Sequence, residues 1–400
     1  MKLLVIAPFV PWPLTAGGKI RVFNIIKYLS IDHEVTLACL SDSREFDSGP
    51  LPDLCAHLII EVRPQNMARD LVAFLFGSLP FNSRRYESTG LRQQLSVLKA
   101  SQKFDLVICE YSFLWPYAQL FQHGTVVLDS HNIEYHIIQQ LRLHHRNPLL
   151  RVLYRLEERK LRFLEHEAWQ ACSLCLTVSE HERGEIIATG IDPLKVLTIS
   201  NGVDLKRFIY RVRFEPPGPL LLLAGLDYAP NLDGARFFLT KILPQLRLLL
   251  PGLEIDLVGR EFWRLRELLP QAGVVVHEDV QDILSYFNKA GIMVVPLRQG
   301  AGTRIKILEA MAAGLPVVTT SKGCEGLEVE HGRELLIADD PTTFAQEVVR
   351  LLGDQGLRQS IAGNARAFVA EHYSWETLIK RMTGGFQGLL SSSSLRGMER

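Results

Sequence analysis

The most constraining feature of this chain is a pattern that occurs twice: short, unbroken apolar runs separated by helix-length amphipathic segments. Residues 3–7, 35–40, 58–62, 106–109, 126–129 and 173–178 make the first set, and 220–224, 254–258, 274–277, 292–296 and 316–319 the second. A strand that is apolar on both faces must be covered on both faces, which a parallel sheet achieves with helices on either side. Alternation of such strands with helices predicts doubly wound α/β layers. Four hundred residues exceed what one hydrophobic core usually serves. The two sets therefore read as two α/β domains, split near residue 210. Turn chemistry at Ser200-Asn201-Gly202-Val203-Asp204 and linker composition at residues 215–219 flank that point. Ligands of such sheets bind beyond the carboxyl ends of the strands, so a cleft between the two domains is the expected site.

Charge narrows the function classes. Lys plus Arg and Asp plus Glu are both 44, and the two signs balance in each half, which excludes a global basic footprint for nucleic acid. Six cysteines in this length are not a disulfide framework. The one close pair, Cys172 and Cys175, falls in an apolar run read as a strand, where residues three apart face opposite sides. Structural thiols in a reducing compartment follow. Pro8, Pro11 and Pro13 interrupt the N-terminal apolar run, and no stretch reaches 18 apolar residues, so neither a signal peptide nor a spanning helix is expected. A cytoplasmic protein is the expectation. The segment 142–162 departs from this neutrality, with Arg, Lys and His interleaved among leucines. It reads either as a solvated long helix or as a basic surface meeting anionic lipid or an anionic acceptor.

The strongest chemical constellation lies in residues 296–316. A strand ends at Pro296, a loop bearing Gly300 and Gly302 follows, and a helix is predicted to start near Thr303. Glycines let backbone approach a ligand, and free N–H groups at a helix start favour an anion. Ile305, Ile307, Leu308, Met311 and Ala312 define one apolar arc, and Lys306 and Glu309 stand side by side outside it. Arg304 and Lys306 suit a diphosphate, and Glu309 one turn later suits a ribose diol. An ordinary helix with a surface ion pair is the competing reading. Gly17 and Gly18 after the first strand read as a helix-start turn or a phosphate-facing loop, to which Lys19 and Arg21 add charge. No His, Cys and Asp cluster has metal-ligand spacing, and no metal is expected.

In these residues the chain resembles glycosyltransferase family 4, the retaining nucleotide-sugar-dependent enzymes of the GT-B fold. The resemblance rests on Gly17-Gly18, Ser200 to Asp204, Leu220 to Gly225 with Pro230, Asn231 and Asp233, residues 302–316, and Tyr373-Ser374-Trp375. It implies two Rossmann-like domains facing each other across a cleft: an acceptor-side domain over 1–205 and a nucleotide-sugar-binding domain over 206–373. A last helix over 374–390, with Ser374 as its N-cap, is implied to pack back toward the first domain, and 391–400 reads as a disordered tail.

The resemblance also assigns roles. Glu309 matches the second glutamate of the family's Glu-x7-Glu motif, which binds ribose hydroxyls, and Ala301 stands where the first would be. The Arg and Lys usual after the first strand of the second domain are missing from residues 225–230, so Arg304 and Lys306 are the implied replacements. His131 matches the histidine that hydrogen-bonds the donor sugar. Catalysis is thus implied for His131, Arg304 and Lys306, and nucleotide-sugar binding for Gly17, Gly18, Gly225, Gly302, Thr303, Arg304, Lys306 and Glu309. The donor base is implied to meet backbone near residues 276–280. The implied reaction is metal-independent transfer with retention, without a cofactor, from a nucleotide-diphosphate sugar to a glycan or lipid-linked acceptor. Residues 142–162 would then give peripheral contact with the inner face of the membrane. A non-catalytic GT-B nucleotide-sugar-binding partner protein and a nucleotide-sugar epimerase stay open beside it.

Overall fold

The computed structural model describes residues 1–398 apart from 213–216, 270, 281 and 301–303. The chain divides into two compact units, Met1–Ser200 with Ile379–Arg400, and Asn201–Leu378. The first change of unit falls before the expected residue 205 for a local reason. The Val203 N–H donates to the Tyr373 carbonyl at 2.9 Å, Val203 bridges to Ser374, and Gly202 lies against Trp375 and Leu378. The turn at 201–204 is thereby stitched to the second unit.

The first unit is one parallel sheet of β1 (Lys2–Ala7), β2 (Glu34–Ser41), β3 (His57–Val62), β4 (Leu106–Glu110), β5 (Val126–Ser130), β6 (Leu174–Thr177) and β7 (Val196–Thr198). Its spatial order is β3-β2-β1-β4-β5-β6-β7. Leu3 to Ala7 and the whole of β4 and β5 are buried, as strands with helices on both faces require. Trp115 and Trp169 anchor a core beneath β4 and β5. The edge strand β7, three residues long, carried too little periodicity to be read from sequence.

The second unit is also all parallel: β8 (Leu220–Gly225), β9 (Ile255–Arg260), β10 (Val274–Glu278), β11 (Ile292–Val295), β12 (Val317–Thr319) and β13 (Leu336–Ile337), ordered β10-β9-β8-β11-β12-β13. Apolar clusters cover both of its faces, one around Phe238 and Phe344, the other around Phe287 and Met311.

Three local expectations change. Cys172 is not in a strand: it caps the Pro148–Ala171 helix and shares a core with Cys175, because β6 begins only at Leu174. The basic segment is not one helix. Asn147 caps the Pro148–Ala171 helix, its side chain accepting the Leu149 N–H at 2.9 Å, and Pro148 at the helix start separates it from the Glu134–His144 helix. The final helix, Trp375–Met398, continues through the serines at 391–394 where a disordered tail was expected. No proline interrupts that stretch, and serine costs a helix only a few tenths of a kcal/mol per residue, on the order of 0.5. The Ser374 hydroxyl accepts the Thr377 N–H at 3.2 Å, as an N-cap does, and from Ile379 onward this helix belongs to the first unit. Among the described residues no helix is long and apolar enough to cross a membrane.

Candidate active site

In a doubly wound sheet the strand order reverses at one point, and the helices that follow the two strands there leave on opposite faces. This opens a crevice at the carboxyl ends of those strands. In the first unit the reversal lies between β1 and β4, and in the second between β8 and β11. Most of the residues singled out from sequence lie at or next to these two points.

In the first unit, the Gly17–Leu29 helix follows β1, so Gly17 and Gly18 are its first turn and not a separate loop. A Cβ on Gly18 would overlap the Tyr111 hydroxyl. Tyr111, just past β4, takes a left-handed φ of 69°, a strain of about 1–3 kcal/mol in a non-glycine residue. Its ring stacks on His131 with centroids 3.9 Å apart.

His131 is only 7% exposed, and its Nε2 lies 2.7 Å from Glu110 Oε2. Next to this pair the fully buried Arg21 reaches both Asp129 oxygens at 2.7 Å and donates to the Ile199 and Ser200 carbonyls. Arg21 is therefore a structural cation locked to β5, not a charge facing phosphate. Lys19 is likewise turned away, its Nζ donating to the Trp12 carbonyl at 3.2 Å.

The charge states follow. Burial penalises the Asp129 carboxylate, but Arg21 more than offsets this and holds its pKa below the ordinary value. Burial, aided by the charge on Asp129, pushes Glu110 well above the usual carboxylate range. Burial also drives His131 down to about 3, against the attraction of Asp129. The Glu110–His131 contact is thus a hydrogen bond between neutral partners beside one ion pair, and Nδ1 is the ring nitrogen left to meet a ligand.

The loop carrying His131 is held from below. Glu165 accepts the Glu134 and Tyr135 N–H groups at 2.9 and 3.0 Å and the Ser112 hydroxyl at 3.1 Å. Burial and the neighbouring Glu134 raise Glu165 to about 8.

Ligand atoms of Glu110, Asp129 and His131 all lie within 4.8 Å of one another, the group among the described residues with the composition of a cation site. Sequence spacing gave no hint of it, because the three come from two strand ends. Both Asp129 oxygens are engaged by Arg21, so a guanidinium already supplies the positive charge that this cluster needs.

In the second unit, Gly302 and Thr303 fall outside the described residues, as does Ala301. The helix is Ile305–Ala312, with Arg304 at its N-cap, and starts two residues later than expected. Lys306 does not form a surface ion pair with Glu309. It is half-buried and donates to the Leu223 carbonyl at 2.8 Å and to Asn231 Oδ1 at 3.1 Å. Asn231 in turn donates to the Gly225 carbonyl at 3.0 Å. The ammonium is therefore fixed at the carboxyl end of β8. Burial, reinforced by Arg304, lowers Lys306 to about 8. Burial raises Glu309 to about 7 against the pull of Arg207 and Lys306. Arg304 is buried too, beside Tyr228 and within reach of Glu325. A Cβ on Gly300 would approach its guanidinium to 3.2 Å.

Residues 225–230, after β8, carry no cation, yet Arg260, at the end of β9, holds Asp227 at 2.8 and 3.0 Å directly beside Gly225. A basic residue closing an apolar strand was the available signal. A charged residue at the end of β4, Glu110, was the corresponding one in the first unit.

Two parallel, doubly wound units with polar groups gathered at their topological switch points define a GT-B glycosyltransferase fold. Solved structures agree. Sucrose-phosphate synthase from Thermosynechococcus elongatus aligns with a TM-score of 0.71 at 15% identity, covering 98% of this chain and all of that one. Anabaena HepE in complex with UDP aligns at 0.67 and 15% identity, covering 97% and 100%.

The models for Glycosyltransferase Family 4 and for Glycosyl transferases group 1 match residues 15–207 and 218–354. The chain belongs to glycosyltransferase family 4 and is a transferase enzyme. An uncharacterized 44.6 kDa protein in the cps region of Klebsiella pneumoniae is 22% identical over 391 residues, covering 93% of this chain and 96% of its relative.

Proposed function

We propose that this enzyme moves a sugar from a nucleotide-diphosphate sugar to a glycan or lipid-linked acceptor, with retention and without a metal, in cell-surface polysaccharide biosynthesis. The observation that carries the reading is Lys306 held by Leu223 and Asn231 at the carboxyl end of β8, with Arg304 at the adjoining helix start. A departing diphosphate needs fixed positive charge, and a preorganised donor of this kind is worth about 3–4 kcal/mol in the transition state. In this reading Arg304 and Lys306 meet the diphosphate together with backbone at Gly225, Gly302 and Thr303. Glu309 accepts the ribose hydroxyls. Gly17 and Gly18 offer helix-start N–H groups, and His131 donates or accepts at the donor sugar through Nδ1. Same-face attack, with the leaving phosphate oxygen taking the acceptor's proton, requires no protein carboxylate as nucleophile.

Two comparisons support the donor and the setting: HepE was crystallised with UDP, and the Klebsiella relative lies in a cps region. The acceptor side carries with it peripheral contact through residues 142–162 with the inner face of the cytoplasmic membrane. Incubation with nucleotide sugars and candidate lipid-linked acceptors, with and without EDTA, tests the reading through product NMR. The expected product keeps the donor's anomeric configuration, is insensitive to EDTA, and falls by about 100- to 1000-fold in Lys306→Ala. An inverted product, or an absolute metal requirement, would refute it.

A further inference from the structure

The first unit exposes an apolar surface that a protein with balanced charge has no reason to keep. In the Met67–Phe76 helix only Phe74 is buried, while Met67, Val72 and Phe76 are 72%, 56% and 87% exposed. The Pro148–Ala171 helix shows the same inversion. Its inward face carries Leu161, Leu164 and Trp169, yet Leu149, Val152 and Phe163 are 75%, 66% and 74% exposed. At 100° per residue these three fall within one stripe about 60° wide, opposite the core.

The two helices are neighbours. The Lys160 ammonium donates to the Gly77 carbonyl at 2.7 Å and also to the Phe74 carbonyl, closing the C-terminal end of the shorter helix. Glu157 accepts the Phe81 and Asn82 N–H groups. On the helical wheel Lys160 borders the exposed stripe, so the shorter helix lies along that side.

Charge identifies the occupant. Between 142 and 163 the two acidic residues, Glu157 and Glu158, are both turned inward, to backbone N–H groups and to Arg142. Arg151, Arg155, Arg159 and Arg162 are all exposed and line one flank of the stripe. The chain as a whole carries 44 charges of each sign. In that stretch the acids are therefore turned inward, not absent from the protein. An apolar stripe flanked by arginines is what an anionic bilayer surface binds, with apolar side chains entering the headgroup boundary and guanidiniums meeting phosphates.

We infer that the Met67–Phe76 and Pro148–Ala171 helices together form a docking surface for anionic lipid, with Val72 and Phe76 as inserted anchors and Arg155 and Arg159 as the electrostatic contact. This deepens the membrane contact proposed above, and it is measured without donor or acceptor, so its failure leaves the transfer chemistry untouched.

The test is flotation of the purified full chain with vesicles of phosphatidylcholine alone or with about one-third phosphatidylglycerol, at low and high salt. Each basic residue near such a surface contributes about fivefold in affinity. Arg155→Glu with Arg159→Glu should therefore weaken binding to anionic vesicles by at least tenfold, as should Val72→Ser with Phe76→Ser. Leu248→Ser, a 79% exposed leucine of the second unit, should change nothing. All are surface changes, and Phe76→Trp provides an independent reading: the emission of the added indole should shift to the blue with anionic vesicles only. Equal binding to both vesicle types, no binding to anionic vesicles at low salt, or an unshifted emission from the Phe76→Trp variant would overturn the inference. So would a dimer in light scattering that the Val72 and Phe76 changes dissociate, which would make this face a self-association surface.

Discussion

Arg21 has no exposed surface, and its ionic partner is Asp129. Removing one member of a buried ion pair leaves the other uncompensated, at a cost of about 3–5 kcal/mol. Arg21→Met should show that full cost, since it also strands the Ile199 and Ser200 carbonyls. Asp129→Asn should cost less, about 1–3 kcal/mol, because a second carboxyl stands ready. Glu110 is held protonated by burial and by the charge on Asp129, and once that charge is gone the attraction of Arg21 favours its ionisation. Adding Glu110→Gln removes the substitute. The double variant should therefore lose at least about 2 kcal/mol more than the sum of its single changes.

Urea unfolding followed by the fluorescence of Trp115 and Trp169, both buried in this unit, reads the effect. At a slope near 3 kcal/mol/M, Arg21→Met lowers the midpoint by about 1–1.7 M, and the excess in the double variant is about 0.7 M. Additive midpoints would refute the picture of two carboxyls competing for one guanidinium.

Other outcomes follow from the same geometry. Lys306 at about 8 and Glu309 at about 7 make nucleoside diphosphate affinity greatest between those values. It should fall below pH 7 as Glu309 is protonated and above pH 8 as Lys306 loses its charge. Calorimetry across pH checks this, and Lys306→Arg should abolish only the alkaline decline. Gly18→Ala drives a methyl group into the Tyr111 hydroxyl and should displace the ring stacked on His131. Transfer should drop tenfold or more while stability changes by less than about 1 kcal/mol; unchanged turnover would detach this stack from function. All six cysteines are buried, and burial raises the thiol of Cys39, so a thiol reagent should find none in the native protein and six after denaturation. Rapid native labelling would contradict the packing.

Much of the fold was legible because fully covered parallel strands leave unbroken apolar runs, as at residues 3–7 and 220–224. The strands that escaped, Val196–Thr198 and Leu336–Ile337, are too short to show a period. The second-unit cluster was partly legible because Arg304, Lys306 and Glu309 lie within two turns of one helix start. What stayed hidden was direction. The wheel placed Lys306 beside Glu309, while the folded chain turns it to Leu223 and Asn231 more than 70 residues away.

In the first unit, Arg21 and Asp129 are 108 residues apart, and their pairing arises only from the adjacency of the crossover strands. Arg21 therefore read as added charge for a phosphate-facing loop at Gly17 and Gly18. The helix break at Asn147-Pro148 was written in plain capping chemistry and could have been seen.

The proposed diphosphate site is built on Lys306, Arg304 and Glu309. The most direct test is a thermal-shift panel of the purified protein with UDP, GDP, ADP, CMP and dTDP, each with and without EDTA. A ligand bound only by the folded state at one hundred times its Kd adds about 2.7 kcal/mol to stability. A raised Tm is expected with one diphosphate, unchanged by EDTA and lost in Glu309→Ala. No shift with any of them, or a shift that survives Glu309→Ala, would contradict it.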